Sequence, residues 1–312
     1  MTMSVPTADS VVADISAVRD LRAAAPDEVR RRYAERRRRP LLGPDGRLLI
    51  VAADHPARAS LGVAGTRNAM SSREDLLFRL VTALADPRVD GVLGTADVLD
   101  DLLLLGALEE KVVIGSMNRG GLPGAVFELD DRFTGFDTPT LVEEGLDGGK
   151  MLCRIALDDA GTAATLESCG RAVTELSRAG LMAMVEPFWS SRAGGRVVHD
   201  LSTEAVIHSV AVASGLGANS AHTWLKLPVV DNMADVMAAT TLPALLLGGD
   251  PTGDPDRTYA AWRHALTVSG VRGLVVGRAL LYPRDGDVSA AVGTAAAMVH
   301  ADPRRESEWT GA

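Results

Sequence analysis

A lysine inside an apolar segment is the first residue of this sequence that could do covalent chemistry. Lys226 lies between Leu225 and Leu227 in the run HTWLKLPV, and it is one of only three lysines among the 32 basic residues of this 312-residue chain. Burial of an unpaired ammonium is costly and lowers its pKa, which leaves a neutral, nucleophilic amine. Such an amine can attack a carbonyl and form a Schiff base. The alternative is a structural ion pair between Lys226 and Glu186.

Other charged residues lie in or at the end of similar runs. Lys150 and Arg154 fall on one face of the run KMLCRIAL, because side chains of a strand alternate with a period of two. A second cation near Lys226 would lower the pKa of its amine further. Glu186 ends the run LMAMVE and could move protons while a carbinolamine forms and dehydrates. Asp54 ends LLIVAAD, where it could hold or deprotonate a substrate hydroxyl or simply cap the following loop.

Eight short apolar runs, each followed by a helical stretch, would have to position these side chains. We predict an α/β fold of the (β/α)8 barrel type, with a doubly wound open sheet of fewer strands as the alternative. In a barrel the carboxyl ends of the strands meet in one active site. The segment 117–149 is richer in Gly, Pro and Asp and predicts an irregular loop with a short helix. The eight runs are 48–54, 91–95, 111–116, 150–157, 181–186, 223–227, 243–249 and 273–278.

Glycine turns end the last two runs and indicate a phosphate site. Gly248 and Gly249 follow the seventh run, and Gly277 and Arg278 follow the eighth. Backbone N–H groups in such turns can bind a phosphate, and the loops after strands seven and eight are the common phosphate cradle of barrels. His55, beside Pro56, could contact substrate or be satisfied by the backbone.

The two ends of the chain differ from this repeating pattern. We predict an N-terminal helical extension over residues 1–40, the barrel over 41–302 and a C-terminal tail over 303–312. The second helix of the extension is rich in arginine, so an RNA-binding arm is one reading. No aromatic residues are interleaved for base stacking, which favours a solvated helix face packed near an acidic body.

Composition excludes several classes of function. The net charge of −9 and a pI of about 5.2 argue against a general nucleic-acid coat or an anionic-membrane binder. No apolar run is long enough to span a membrane, the N-terminus lacks a signal-peptide pattern, and both cysteines fall in apolar surroundings. A cytoplasmic enzyme with reduced thiols is therefore expected. The six histidines form no HxxxH or HxH pair, so we expect neither a metal nor another cofactor.

Taken together, these segments resemble the Schiff-base (class I) aldolases of the fructose-bisphosphate, tagatose-bisphosphate and deoxyribose-phosphate superfamily. The resemblance runs from about residue 20 to 300 and is carried by AADHPA, GTADVLDDLL, GSMNRGGL, GGKMLCRI, MVEPF, WLKLPV, LLLGGDP and VVGRALLYP. It implies that Lys226 forms the imine and that Lys150, Glu186 and Asp54 line the site. The tyrosine that some archaeal fructose-bisphosphate aldolases use as proton donor has no counterpart, and Phe188 lies near that region.

More closely, the sequence resembles actinobacterial barrels that occur with inositol-catabolism genes and are often labelled deoxyribose-phosphate aldolase. This resemblance implies retro-aldol cleavage of 6-phospho-5-dehydro-2-deoxy-gluconate to dihydroxyacetone phosphate and malonate semialdehyde, in a homo-oligomer. Asn118, Arg119 and Arg154 suggest a second anionic contact, such as one to a carboxylate. Deoxyribose 5-phosphate is the alternative substrate, and a non-catalytic sugar-phosphate-binding barrel is the alternative of a different class. In each case the expected partner is a small phosphorylated sugar or sugar acid.

Overall fold

The computed structural model of the protein describes residues 8–249 and 253–301, with side chains from Asp14 onward. The tail predicted at 303–312 lies outside the described residues, as do residues 1–7 and 250–252. No helix in the described ranges is both long and apolar enough to cross a membrane.

Eight parallel strands form a closed barrel, which confirms the predicted (β/α)8 fold. The sheet runs in the order β4-β3-β2-β1-β9-β8-β7-β5, and an additional pairing of β4 with β5 closes it. Closure brings the carboxyl ends of all eight strands to one rim. The barrel strands are β1 (Leu48–Ala52), β2 (Gly91–Gly94), β3 (Val112–Ser116), β4 (Gly148–Ile155), β5 (Met182–Ala193), β7 (Thr223–Leu227), β8 (Ala244–Leu247) and β9 (Val271–Val276).

A hairpin that the sequence analysis did not predict extends from this rim. The fifth apolar run ends at Glu186, but β5 continues to Ala193 and turns at two glycines with positive φ, Gly194 and Gly195. The chain returns as β6 (Arg196–His199), antiparallel to the outer half of β5. The hairpin was missed because its strands leave the apolar interior and carry polar residues.

Helices connect the strands and cover the outside of the barrel. Several begin with a side chain that accepts a backbone hydrogen bond, such as Ser72, Asp137, Ser202 and Asp287. The predicted loop with a short helix between β3 and β4 is present. The helices are α1 (Ala8–Ala24), α2 (Asp27–Glu35), α3 (Arg73–Leu84), α4 (Ala96–Leu104), α5 (Thr138–Glu143), α6 (Gly161–Arg178), α7 (Thr203–Ser214), α8 (Met233–Ala238), α9 (Pro255–Ala265), α10 (Arg278–Leu281) and α11 (Val288–Val299).

The apolar core has two layers because strand side chains alternate between the two faces of the sheet. On β1, Leu49 and Val51 pack outward under the helices, whereas Leu48 and Ile50 fill the barrel interior. Trp224 also points inward, and Lys226, two residues further along β7, therefore projects into the interior one layer higher. The alternation thus places a charged side chain at the centre of the barrel.

The arginine-rich segment packs on the amino ends of the strands. Arg36 is buried and donates hydrogen bonds to the carbonyls of Lys111 and Gly145, each at 2.9 Å. Arg38 and Arg39 pair with Asp147 and Asp90, at 3.0 and 2.7 Å. These contacts agree with the interpretation of an arginine face packed near an acidic body. The domain boundary at residue 40 stays a prediction.

We expect Arg36→Met to lower the free energy of unfolding by about 2–4 kcal/mol, because it leaves two partly buried carbonyls without donors. Arg37→Met is the matched control, since Arg37 is exposed and its pair with Glu109 should contribute less than about 1 kcal/mol. Urea denaturation of both variants measures the difference. Equal destabilisation would contradict the structural role of Arg36.

His300, at the end of α11, connects the last helix to the same end of the barrel. Its Nδ1 lies 2.6 Å from Asp45 Oδ2, and its Nε2 lies 3.2 Å from Asp90 Oδ2. The bond with Asp90 raises the pKa of His300 to about 8, against the opposing effect of burial and with further help from Asp45. The histidine is therefore predominantly protonated in the folded protein at neutral pH.

This raised pKa predicts a pH-dependent contribution to stability. The contribution of His300 is fully present below pH 6.5, the ordinary value, and is lost as the pH rises to about 8. Discounted for solvent screening, it is on the order of 1 kcal/mol. The difference in unfolding free energy between the wild type and His300→Gln, measured by urea denaturation at a series of pH values, should shrink over that window. A difference that is flat with pH would contradict the assignment.

Candidate functional site

A cavity of about 250 Å³ opens at the carboxyl ends of the barrel strands. Most of the residues that the sequence analysis singled out lie in its wall, although they come from separate strands and loops. Sequence-distant groups are thus brought to one place by closure of the barrel. The predicted residues that line the cavity are His55, Arg119, Glu186, Lys226, Gly248, Gly249, Gly277 and Arg278.

A carboxylate between two lysines forms the floor of the site. Lys226 Nζ lies 2.8 Å from Glu186 Oε1, and Lys150 Nζ contacts the other oxygen, Oε2. Lys150 also lies 3.3 Å from Asp54 Oδ2. The side chain of Lys226 is only 4% exposed and that of Lys150 is 0% exposed, so both side-chain nitrogens are held away from bulk water.

Burial and mutual proximity set the protonation of this cluster. Burial lowers the pKa of Lys226, and the Glu186 carboxylate opposes that shift. Burial, reinforced by Arg119, holds the pKa of Lys150 well below its ordinary value. Burial alone would raise the pKa of Glu186, but the two lysines, Lys150 first, hold it well below its usual range. The ion pair considered as an alternative role for Lys226 is therefore present, yet its amine also borders the cavity.

Asp54 lies beneath the cavity. Its side chain is fully buried and its Oδ2 accepts a hydrogen bond from Ser116 Oγ at 3.1 Å. The same oxygen contacts Lys150 and the guanidinium of Arg119. Asp54 does not itself line the cavity, so among the described residues Glu186 provides the carboxylate that a substrate can reach from the cavity.

Asn118 and Arg154 hold the loop after β3 against the barrel. The Asn118 amide donates to the Leu152 carbonyl at 2.7 Å and accepts from the Leu152 N–H at 2.6 Å, as a neighbouring strand would. Arg154 is fully buried and donates through Nε to Asp131 Oδ2 at 2.8 Å. Neither side chain lines the cavity, although the sequence analysis placed both at a substrate contact.

Glycines are required along one edge of the cavity. A Cβ on Gly277 would lie 2.3 Å from the Ala52 carbonyl, and one on Gly248 would lie 2.5 Å from Val276 Cγ1. Gly249 has a φ of +65°, a conformation that favours glycine. Gly277 and Gly248 are therefore required for packing against β1 and β9, and all three glycines border the cavity beside Arg278. We call Gly248, Gly249, Gly277 and Arg278 the glycine rim.

The cavity wall also contains the ionisable side chains of His55, Arg58 and His199. His55 lies beside the rim, and burial, then Arg278, hold its pKa well below the ordinary value, so that it is neutral. Arg58 and His199 were not singled out from the sequence. Arg58 closely follows the first run, and His199 ends the unpredicted hairpin. A search for cations just beyond strand ends could have found Arg58, but nothing in the sequence marked His199.

The site offers amine, carboxylate and anion-binding groups. Within residues 8–249 and 253–301, no three histidine, cysteine or carboxylate side chains are placed to share a metal ion. What the arrangement can do chemically is present a buried amine to a carbonyl, with a carboxylate at hydrogen-bond distance to move protons.

The fold is that of the Schiff-base aldolase barrels. A Schiff base-forming fructose-1,6-bisphosphate aldolase superposes with a TM-score of 0.61 at 17% identity, over 87% of this chain and 100% of that chain. An archaeal fructose-1,6-bisphosphate aldolase, with its catalytic lysine bound to a carbinolamine intermediate, also gives 0.61 at 16% identity, over 87% and 99%. The fructose-bisphosphate aldolase from Slackia heliotrinireducens gives 0.59 at 16% identity, over 95% and 89%.

The chain belongs to the Cgl0159-like family, which its sequence matches over residues 46–296. The crystal structure of Cgl0159 from Corynebacterium glutamicum (Brevibacterium flavum) is 58% identical, with a TM-score of 0.90 over 92% of this chain and 97% of that chain. No match was found among curated proteins.

The Lys226–Glu186 pair predicts how the amine responds to pH. Acetylacetone condenses only with a neutral amine. Its reaction with Lys226 should therefore be half-maximal at a pH below 10.5, the ordinary pKa of lysine. Glu186→Gln removes the charge that favours the ammonium and should move that midpoint lower by about one pH unit or more. Lys226→Met assigns the signal to this lysine, and the exposed Glu204→Gln is the matched control. An upward shift in Glu186→Gln would contradict the electrostatic role of Glu186.

Proposed function

We propose that the protein is a class I aldolase that cleaves a phosphorylated keto-sugar or keto-acid through an imine on Lys226. The observation that carries the proposal is the position of the Lys226 amine, at the edge of the cavity and 2.8 Å from the Glu186 carboxylate. The low exposure of Lys226 favours its neutral amine. The Glu186 carboxylate lies within hydrogen-bond distance of the protons that are transferred during imine formation.

Imine formation begins when the neutral Lys226 amine attacks the substrate carbonyl carbon and forms a C–N bond. The carbonyl oxygen takes up a proton, and the nitrogen loses one, to give the carbinolamine. Glu186 carries these protons and then protonates the departing hydroxyl, which leaves as water. The product is an iminium on Lys226, whose positive charge the Glu186 carboxylate stabilises.

Carbon–carbon cleavage follows from the electron-accepting iminium. The carbon on the far side of the carbon–carbon bond to be broken carries a hydroxyl group, and a carboxylate takes the proton of this hydroxyl. The hydroxyl oxygen then forms the carbonyl of the aldehyde product. The electron pair of the broken bond moves into the iminium, which becomes an enamine. Protonation of the enamine carbon and hydrolysis of the new iminium release the ketone. Glu186 is the better candidate base, because Asp54 lies behind Arg119 and Lys150.

Lys150 acts as a positioning residue in this scheme. It contacts Glu186 Oε2 and does not line the cavity, so this contact orients the carboxylate. Lys226 shares Glu186 Oε1 and borders the cavity, which leaves it as the amine that a carbonyl carbon can approach. The two lysines therefore have separate tasks around one carboxylate.

The glycine rim supports a phosphorylated substrate. Its three glycines line the cavity without side chains that would cover the backbone, and Arg278 adds a guanidinium suited to a phosphate. The barrels with similar folds include fructose-1,6-bisphosphate aldolases, whose substrates carry phosphates. The most specific substrate that we propose is 6-phospho-5-dehydro-2-deoxy-gluconate, which would give dihydroxyacetone phosphate and malonate semialdehyde. Deoxyribose 5-phosphate is the alternative.

Borohydride reduction tests this function directly, because it converts a lysine imine to a stable secondary amine. Incubation with dihydroxyacetone phosphate, the keto-acid phosphate or deoxyribose 5-phosphate, followed by reduction and peptide mass spectrometry, should give an adduct on Lys226. Lys226→Met should lower turnover by about a thousandfold or more, since the covalent route is lost. Lys111→Arg, at the opposite end of the barrel, should keep both adduct and turnover.

The absence of an adduct with all three compounds would contradict the aldolase proposal and would leave a sugar-phosphate-binding barrel. An adduct on Lys150 with none on Lys226 would contradict the assignment of the two lysines. Turnover of one compound with no turnover of the others would identify the substrate.

A further inference from the structure

Two cavity residues have no part in the proposed imine chemistry. Arg58 ends the short 3-10 helix Pro56–Arg58 after β1, and His199 ends β6 of the hairpin. Both line the cavity that Lys226 borders, and both come from elements other than the glycine rim. Their place in the wall requires an explanation of its own.

Arg58 is the cavity guanidinium without a counter-charge in the described part of the chain. Arg119 is neutralised by Asp54, and Arg154 behind the wall is neutralised by Asp131. No ion pair or hydrogen bond joins the Arg58 side chain to residues 8–249 or 253–301, and its Nε is buried without a partner. Burial, then the nearby Arg154, lowers its pKa, but a guanidinium stays charged at neutral pH. A partly buried cation of this kind is stabilised by an anionic ligand.

His199 is held rigidly beside this cation. Its ring stacks on Phe188 with centroids 4.4 Å apart, and its Nδ1 lies 2.9 Å from Ser190 Oγ. Burial, then Arg154 and Arg58, lowers its pKa to about 4, so the imidazole is neutral at neutral pH. The Ser190 hydroxyl can donate its proton to His199 Nδ1 or to the Phe188 carbonyl, which lies 3.3 Å away. In the tautomer in which Nδ1 accepts this proton, the proton of the ring lies on Nε2 and can be donated to a ligand.

We propose that Arg58 and His199 form a second anion subsite, so that the substrate carries two anionic groups, a phosphate at the glycine rim and a phosphate or carboxylate at Arg58. The inference deepens the proposed function and rests on it. Arg58 and the glycine rim come from different elements and line the same cavity as Lys226 and Glu186, so a ligand that reaches both would also lie within reach of the amine. A substrate with one anion, such as deoxyribose 5-phosphate, would leave Arg58 unpaired.

The test compares ligands that differ by one anionic group. Fructose 1-phosphate and fructose 1,6-bisphosphate share one ketose, and 6-phospho-5-dehydro-2-deoxy-gluconate carries a carboxylate in addition to its phosphate. Calorimetric affinities are measured in the Lys226→Met background, so binding is read without imine formation or turnover. We expect at least one of the two-anion ligands to bind about 10- to 100-fold more tightly than fructose 1-phosphate.

Substitution of Arg58 should remove the higher affinity for the two-anion ligand and leave the affinity for fructose 1-phosphate unchanged. Arg58→Gln should bring the two-anion ligand to the affinity of fructose 1-phosphate, whose own binding should not change. Arg67→Gln is the matched control, since Arg67 is an exposed arginine of the same loop, and it should keep the full advantage. Arg58→Lys, which retains the charge, should keep part of it. Thermal unfolding of each variant verifies that the fold is intact.

The two proposals fail in different ways. The second subsite is overturned if neither two-anion ligand binds more tightly than fructose 1-phosphate, or if Arg58→Gln keeps the advantage. A preference for the bisphosphate identifies the second group as a phosphate, and a preference for the keto-acid identifies it as a carboxylate. The aldolase proposal fails instead if borohydride traps no imine in the wild type, whatever the binding results.

Discussion

One carboxylate between two buried ammonium groups is the interaction on which the interior of this barrel depends. Glu186 shares its two oxygens between Lys226 and Lys150, and without it two cations would lie in a nearly dry core with only Asp54 to balance them. Isolated charges in such a place cost several kcal/mol each, so the three side chains are stable only as a group. The same grouping leaves Lys226 with a lowered pKa and a path to the cavity. Stability and chemistry thus rest on one arrangement.

The rest of the molecule keeps that arrangement fixed. Apolar side chains fill the barrel below the cluster, and the loop after β3 is fastened above it by Asn118 and by the pair of Arg154 with Asp131. At the opposite end, Arg36 and its neighbours bind carbonyls and carboxylates at the amino ends of the strands. Catalytic groups are most effective when their positions are set before substrate arrives. The arginines at the amino ends and the loop at the carboxyl ends both serve this purpose.

The fold and much of the site could be predicted because they depend on local pattern. Eight apolar runs with turns between them correspond to the eight barrel strands, and most residues that end those runs lie in the cavity wall. The hairpin escaped prediction because its residues alternate outside the core, so no apolar run marks it. His199 was missed with it, and Arg58 was overlooked because a partly buried arginine looks like a surface arginine in a sequence with 29 of them.

Strand periodicity sets which side chains point inward, and a charged residue in an apolar strand is conspicuous, so the barrel, the glycine rim and the inward position of Lys226 could be predicted from the amino-acid pattern. Which charges neutralise one another depends instead on the folded structure. Arg119 pairs with Asp54 and Arg154 with Asp131 across distances of 65 and 23 residues, whereas Arg58 pairs with neither acid. Electrostatic partnership depends on separation in space, which closure of the barrel sets and sequence spacing does not.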